Sequence, residues 1–110
     1  QYLIVQRNKD KHLGLKFEFP GGKVEENESF ESALKREIQE ELSIEINIYK
    51  KIAEEAYKDE KIDIILHYYL SSQKNGTITL SEHENLAWVE KKDFEKYDFA
   101  EGDGNILSSL

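Results

Sequence analysis

The sequence predicts an α+β fold, a mixed β-sheet sandwiched between helices, and three observations carry that prediction. Short β-prone runs of alternating polarity recur along the chain. One amphipathic helix stands among them, from Ser29 to Leu42, with an apolar residue at every fourth position. A Pro20-Gly21-Gly22 break separates that helix from the strand before it.

Tyr2 to Gln6 is a β-rich run, and Arg7 to Gly14 is a polar loop with Asn8, Asp10 and Gly14 as turn formers. Lys16 to Phe19 alternates, with Phe17 and Phe19 on one face and Glu18 on the other. Pro20 fixes φ, and the two glycines after it permit backbone angles that other residues avoid. In the helix, Phe30, Leu34, Ile38 and Leu42 form the apolar stripe. Asn27 or Ser29 caps its start, Glu28 and Glu31 suit the positive end of its dipole, and Ser43 ends it where a glycine is usual. Ile44 to Lys51 alternates with Ile44, Ile46 and Ile48 on one side, and Ala53 to Tyr57 is a further extended segment. Asp59-Glu60-Lys61 reads as a turn, Ile62 to Leu70 as a strand, and Gln73 to Gly76 as a tight turn. Leu86 to Val89 is the last strand, with Trp88 assigned to the core, and Lys91 to Tyr97 is a short helix. The chain opens on Tyr2-Leu3-Ile4-Val5, which reads as the middle of a strand. An N-terminal segment is therefore expected ahead of it, and Ile106 to Leu110 is expected to begin another helix.

A length of 110 residues fits a single domain, 1–110, large enough to bury a core without staples. Hydrophobic residues make up 38%, with six Tyr and five Phe, which places the chain among globular proteins and not disordered tails. There is no cysteine, so disulfides and thiolate metal sites are excluded, and any metal is held by oxygen or histidine. No apolar stretch approaches the roughly 20 residues of a membrane span, and no signal peptide is visible, so a cytoplasmic protein is expected. The formal net charge of −8 argues against duplex nucleic acid as a partner. A small anionic substrate fits once a divalent cation offsets the local charge.

Glu37, Glu40 and Glu41 lie within the helix at spacings of three and four, so they project into one arc. Arg36 points elsewhere and cannot neutralise all three. Crowded carboxylates cost stability unless something positive sits among them, and hard oxygens suit Mg²⁺ or Mn²⁺. A solvated acidic face is the ordinary meaning of such a run. What lifts it is its context: Gly21-Gly22 lets the backbone approach a ligand or metal just ahead of the helix that carries the acids.

The spacing resembles the signature of the Nudix family. Gly22 is followed after five residues by Glu28, and after seven more by Arg36-Glu37-Ile38-Gln39-Glu40-Glu41-Leu42-Ser43-Ile44. Every signature position matches except the helix-ending glycine, here Ser43. Phe17 to Glu25 resembles the segment entering the box in MutT-like members, Glu82 to Val89 their later acidic loop and strand, and Tyr97 to Ile106 their C-terminal segment.

The resemblance implies a Nudix fold and hydrolysis of a nucleoside triphosphate to the monophosphate and pyrophosphate. MutT-like members include enzymes that clear 8-oxo-dGTP and relatives that act on CTP or dCTP. It implies Mg²⁺, with Mn²⁺ as an alternative, held by Glu37, Glu40 and Glu41 with help from the Gly21 carbonyl. Glu82 adds a metal contact or acts as base, Arg36 orients Glu37, and Lys23 touches phosphate. Arg7, Phe19, Tyr57 and Asp103 match positions lining a base pocket, where Tyr57 stacks on the base. An ionised Asp103 only accepts hydrogen bonds, so it favours a base edge rich in donors, such as the cytosine amino group. The partner is a small-molecule nucleotide, and the protein is expected as a monomer or homodimer. Two other readings stand beside this one. The first is a Nudix hydrolase for ADP-ribose or a dinucleoside polyphosphate, and the second is a catalytically silent Nudix-fold binding module. His12, His67 and His83 are read as incidental, and Trp88 as core and not a stacking platform.

Overall fold

A computed structural model describes residues 1–110. Strand β1 (Tyr2–Gln6) is the centre of a three-stranded antiparallel sheet, with β2 (Phe17–Glu18) on one edge and β5 (Asn85–Val89) on the other. Its alternation places side chains on both faces. Val5 packs with Ile38, Leu42 and Ile44, whereas Ile4 packs with Val89 and Phe94. Helix α1 (Phe30–Leu42) therefore covers one face, and the C-terminal segments cover the other. Those segments are a 3-10 helix over Lys91–Lys96, a short helix α2 (Glu101–Gly104) and a 3-10 turn over Leu107–Ser109. This is the helix-covered sheet that the alternation predicts. Ile4, Val5 and Leu42 are the most fully enclosed large side chains, each burial worth about 1.5–3 kcal/mol.

A second antiparallel sheet is a long ribbon of β3 (Glu45–Lys58) and β4 (Asp63–Asn75). The parallel element in the fold is a bridge between Phe17 and Phe99. Between the two sheets runs a cleft of about 1170 Å³. No helix is long and apolar enough to cross a membrane.

Several local expectations change. The segments 44–51 and 53–57 are one strand, β3, with register shifts between Ile48 and Lys50 and between Lys51 and Ala53. Each shift resets the in–out alternation, which is why the sequence reads as two pieces. Strand β4 continues past Leu70 to Asn75, because pairing with β3 carries the polar Ser71-Ser72-Gln73 along the ladder. Trp88 is 46% exposed and not core, since alternation sets it opposite the buried Val89. Phe30 is also largely exposed, and its ring stacks on that of His67 at 4.2 Å.

Ser29 is the N-cap of α1, its hydroxyl accepting from the Ser32 N–H at 3.1 Å. Ser43 closes the helix in the left-handed region, φ 61° and ψ 31°, with its N–H on the Gln39 carbonyl at 3.0 Å. Glu28 precedes the cap and does not serve the helix dipole. Its carboxylate turns to Arg36 instead.

Candidate active site

The β3–β4 ribbon walls the cleft, and its polar groups come mainly from the end of β2 with Gly21-Gly22, the C-terminal half of α1, Glu82 and His83 before β5, and α2. The helix places Arg36 at the centre of a network. Its Nε and Nη2 reach the two Glu28 carboxylate oxygens at 2.7 and 3.0 Å, Nη1 reaches Glu37 Oε1 at 2.7 Å and Glu40 Oε2 at 3.3 Å, and Nη2 also donates to the Lys23 carbonyl at 2.9 Å. The guanidinium beside Glu28 lowers that carboxyl to about 2. One planar fork thus joins the glycine loop to the helix acids. Arg36 holds the Glu37 carboxylate through that hydrogen bond. It also reaches Glu40, four positions on along the same helix face, which corrects the expectation that it points away from the acids, but it leaves Glu41 without a cation.

Gly22 explains its own residue type. A Cβ there would stand 2.3 Å from Glu37 Oε2, so glycine leaves the space in which the Glu37 carboxylate lies. Glu41 is 7% exposed, and its Oε2 is buried with no hydrogen-bond partner. Burial pushes its carboxyl up to about 8, and Glu37, Glu18 and Glu82 add to the rise. His83, which the sequence marks as incidental, lies between two of these carboxylates. Its Nε2 is 3.2 Å from Glu18 Oε2 and 3.7 Å from Glu41 Oε2. Glu18, Tyr68 and His83 are polar members of the cleft that sequence reading missed. The available signal for Glu18 was its position opposite Phe17 and Phe19 on the strand entering the glycines. His83 gave no signal beyond its two acidic neighbours.

The donor set fits a hard divalent cation, and Glu41 itself shows why. An unpartnered buried carboxyl oxygen beside Glu37, kept from ionising by burial and by its acidic neighbours, becomes a carboxylate donor once a cation offsets them. No three acidic or histidine side chains converge on one point in this arrangement. Glu40 is turned toward Arg36 and Glu82 toward Lys11, at 3.3 and 3.7 Å, and both are more than half exposed. Glu37 and Glu41 are therefore the preformed pair, and Glu40 and Glu82 would join only by turning their exposed side chains.

The other end of the cleft is built by contacts far apart in sequence. Asp103, on α2, is 8% exposed. Its Oδ2 accepts from the Phe19 N–H at 2.7 Å, and its Oδ1 accepts from the Tyr68 hydroxyl. Burial raises its carboxyl to about 6 against the pull of those two donors. Arg7 pairs with Glu18 at 2.8 Å and donates to the His12 carbonyl at 2.8 Å. The Tyr57 ring is 7% exposed, lies beside Gly102, and points its hydroxyl at Asp59 at 2.8 Å. It forms a wall of the cleft with little open face. Phe19, whose ring meets Tyr68 edge-on at 6.3 Å, is the more accessible aromatic. Lys23 stands exposed beside the glycine loop.

The NUDIX domain pattern matches residues 1–110, the whole chain. The chain belongs to the NUDIX family. As a Nudix hydrolase it acts on phosphate anhydrides. The CTP pyrophosphohydrolase of Escherichia coli K12 is 33% identical over 108 residues, covering 98% of this chain and 80% of the relative. An 8-oxo-dGTP diphosphatase of Buchnera aphidicola is 31% identical over 107 residues, covering 97% of this chain and 81% of that protein. Among solved structures, the MutT NUDIX hydrolase from Burkholderia pseudomallei superposes with a TM-score of 0.88 at 25% identity, over 98% of this chain and 86% of that one. These neighbours support the α+β Nudix fold.

Proposed function

We propose that this Nudix hydrolase cleaves a nucleoside triphosphate to the monophosphate and pyrophosphate, using Mg²⁺ or Mn²⁺, in the cytoplasmic nucleotide pool. The observation that carries the reading is the Glu37–Glu41 pair, held against Gly22 and left without a cation at Glu41. When bound there, a divalent cation supplies charge neutralisation for the phosphates and acidification of the attacking water. Glu37, Glu41, Glu40 and Glu82, with the Gly21 carbonyl, are the residues that would hold it. Arg36 keeps the Glu37 carboxylate in place. Lys23, exposed at the glycine loop, meets the phosphate chain. Glu37 and Glu82 are the two candidates for accepting the proton of water, and Glu82, on its open loop, has the freer approach.

The base lies at the Asp103 end, between Phe19, Tyr57 and Arg7. Asp103 uses one lone pair of each oxygen for Phe19 and Tyr68 and keeps others for the base. Above about pH 6 it is an acceptor only, so it favours a base that presents an amino group, such as cytosine. The similarity to a CTP pyrophosphohydrolase agrees with that preference, and similarity to 8-oxo-dGTP diphosphatases makes oxidised guanine the competing base. The deciding experiment is pyrophosphate release from canonical and oxidised nucleotides, with and without Mg²⁺. Mg²⁺-dependent release with a cytosine nucleotide preferred is the expected result. Absence of release from every triphosphate would overturn the pyrophosphohydrolase reading, and an oxidised-guanine preference would overturn the base assignment.

A further inference from the structure

The loop joining β1 to β2 lines the cleft through Asn8, Lys11, His12 and Leu13 and is tied at both sides. On the acidic side, Lys11 Nζ lies 3.7 Å from Glu82 Oε2, and the Lys9 N–H donates to Glu84 Oε1 at 3.3 Å. On the far side, His12 Nε2 lies 2.7 Å from Asp59 Oδ2, in the turn between β3 and β4. Asp59 is itself anchored. Its Oδ1 accepts from the N–H groups of Lys61 and Ile62 at 2.8 and 2.9 Å, and its Oδ2 accepts from the Tyr57 hydroxyl at 2.8 Å. The Lys61 N–H first, then His12 itself and the Tyr57 hydroxyl, hold the Asp59 carboxyl well below the usual range, so the contact is made to a fixed anion.

The two fastenings differ in strength. The lysine contacts are long and exposed, and such contacts contribute little. The His12–Asp59 contact is short, partly buried and made to an ionised oxygen, which is the stronger kind. Beside His12 the backbone is held against its preference. Leu13 and Leu15 have φ of 57° and 65°, left-handed values that L side chains avoid. A loop in that conformation relaxes when its fastening is removed. His12 and Leu13 line the cleft, as does Tyr57. Arg7, at the start of the loop, ties the His12 carbonyl to Glu18 inside the cleft.

We propose that residues Arg7 to Lys16 form a strap over the nucleotide cleft, with His12 as the positioning residue whose hydrogen bond to Asp59 fastens it. The proposal rests on the nucleotide reading above and adds to it a means of retaining the base and nucleoside. The strap touches neither Glu37 nor Glu41 and meets Glu82 only through the long, exposed Lys11 contact, which a change at His12 leaves in place, so the His12 fastening governs binding and product departure and not the chemical step.

His12→Phe keeps a ring of similar size and removes the hydrogen bond, whereas His12→Gln keeps an N–H donor. For the preferred triphosphate, His12→Phe should raise KM and the inhibition constant of the product monophosphate about tenfold, with kcat within twofold. His12→Gln should recover most of that loss. Asp59→Asn added to His12→Phe should cost little more, since the two act through one contact. Hydrogen exchange supplies a readout that needs no substrate: amides of residues 8–15 should exchange about tenfold faster in His12→Phe. Unchanged exchange overturns the strap whatever the substrate proves to be. Faster exchange with unchanged KM and product inhibition, or a fall in kcat alone, overturns its role in retention. If the wild type releases no pyrophosphate from any triphosphate, the function assigned above is wrong, and so is nucleotide retention by the strap.

Discussion

The two ends of the cleft are built in opposite ways. At the acid end, Glu28, Arg36, Glu37, Glu40 and Glu41 lie within 14 positions of one another, and one guanidinium binds most of them together. At the base end, Phe19, Tyr68 and Asp103 come from β2's exit, β4 and α2, and Asp103 collects the other two. The first arrangement is set by helix periodicity and a neighbouring glycine turn. The second exists only after the ribbon and the C-terminal helix have docked. A chemistry common to a family fits the first kind of construction, because its geometry survives change elsewhere. Base preference fits the second, because a single long-range contact can alter it.

The largest expected effect lies at the acid end. Glu41→Gln removes the buried carboxyl that a bound cation would hold ionised, and divalent-cation-dependent turnover should fall about 10³-fold or more. The fold should survive, because no hydrogen bond to that Oε2 is lost. Pyrophosphate release and circular dichroism on the same preparation check both halves. Normal turnover would show that the preformed carboxylate pair is not the reacting centre. Gly22→Ala comes next. Its methyl would need the space 2.3 Å from Glu37 Oε2, so the carboxylate must swing away. A 10–100-fold loss in kcat with KM little changed is expected, since a displaced orienting group costs the chemical step more than binding. Steady-state kinetics decide this. A change in KM alone would mean that the glycine serves substrate entry and not Glu37.

This contrast also sets what the sequence disclosed. The box from Gly22 to Ile44 was legible because its residues meet through local periodicity, and α1 and its cap lie where the pattern puts them, although Glu40 turns to Arg36 and not to Glu41. Strand existence was legible as well, but the unity of β3 was not, since its register shifts erase the alternation that reveals a strand. Glu18 and His83 were invisible as partners because 65 positions separate them. Trp88 was misjudged because composition favours burying a large aromatic, whereas the local alternation turns it outward. Asp103 was picked out for its chemistry. Its grip on Phe19 and Tyr68 belongs to tertiary structure and could not be read from the turn Gly102-Asp103-Gly104.

Asp103→Asn tests the base end and leaves the acid end alone. Burial raises the Asp103 carboxyl from 3.8 to about 6, so the fold favours its protonated form. The stability linked to that proton is fully present below about 4 and is lost as pH rises through about 6. Relative to wild type, Asp103→Asn should therefore show a flatter melting temperature between pH 4 and 7. The preference for a cytosine over an oxidised-guanine nucleotide, taken as a ratio of kcat/KM, should weaken below pH 6 in wild type. In the variant that ratio should be nearly independent of pH and shifted several-fold toward oxidised guanine. Taking a ratio cancels titrations at the acid end, which both substrates share. Identical ratios in the two proteins would remove Asp103 from base selection and leave it as a clamp on Phe19 and Tyr68.

The smallest effect concerns the helix end that joins neither site. Ser43 adopts φ 61° and is exposed, with its N–H spent on the Gln39 carbonyl. A left-handed L residue costs roughly 1 kcal/mol or more, while glycine there gives up part of that gain through the greater freedom of its unfolded chain. Ser43→Gly should therefore stabilise the protein by about 0.5 kcal/mol and raise its melting temperature by a few degrees. Turnover and base ratio should stay as in wild type, because the hydrogen bond that closes the helix is made by backbone and persists. A rise in melting temperature with unchanged kinetics would show that the position after Leu42 serves only to end the helix. A change in turnover would instead tie the closing of α1 to the placement of Glu41, two residues away, and would make the acid end less self-contained than its local wiring indicates.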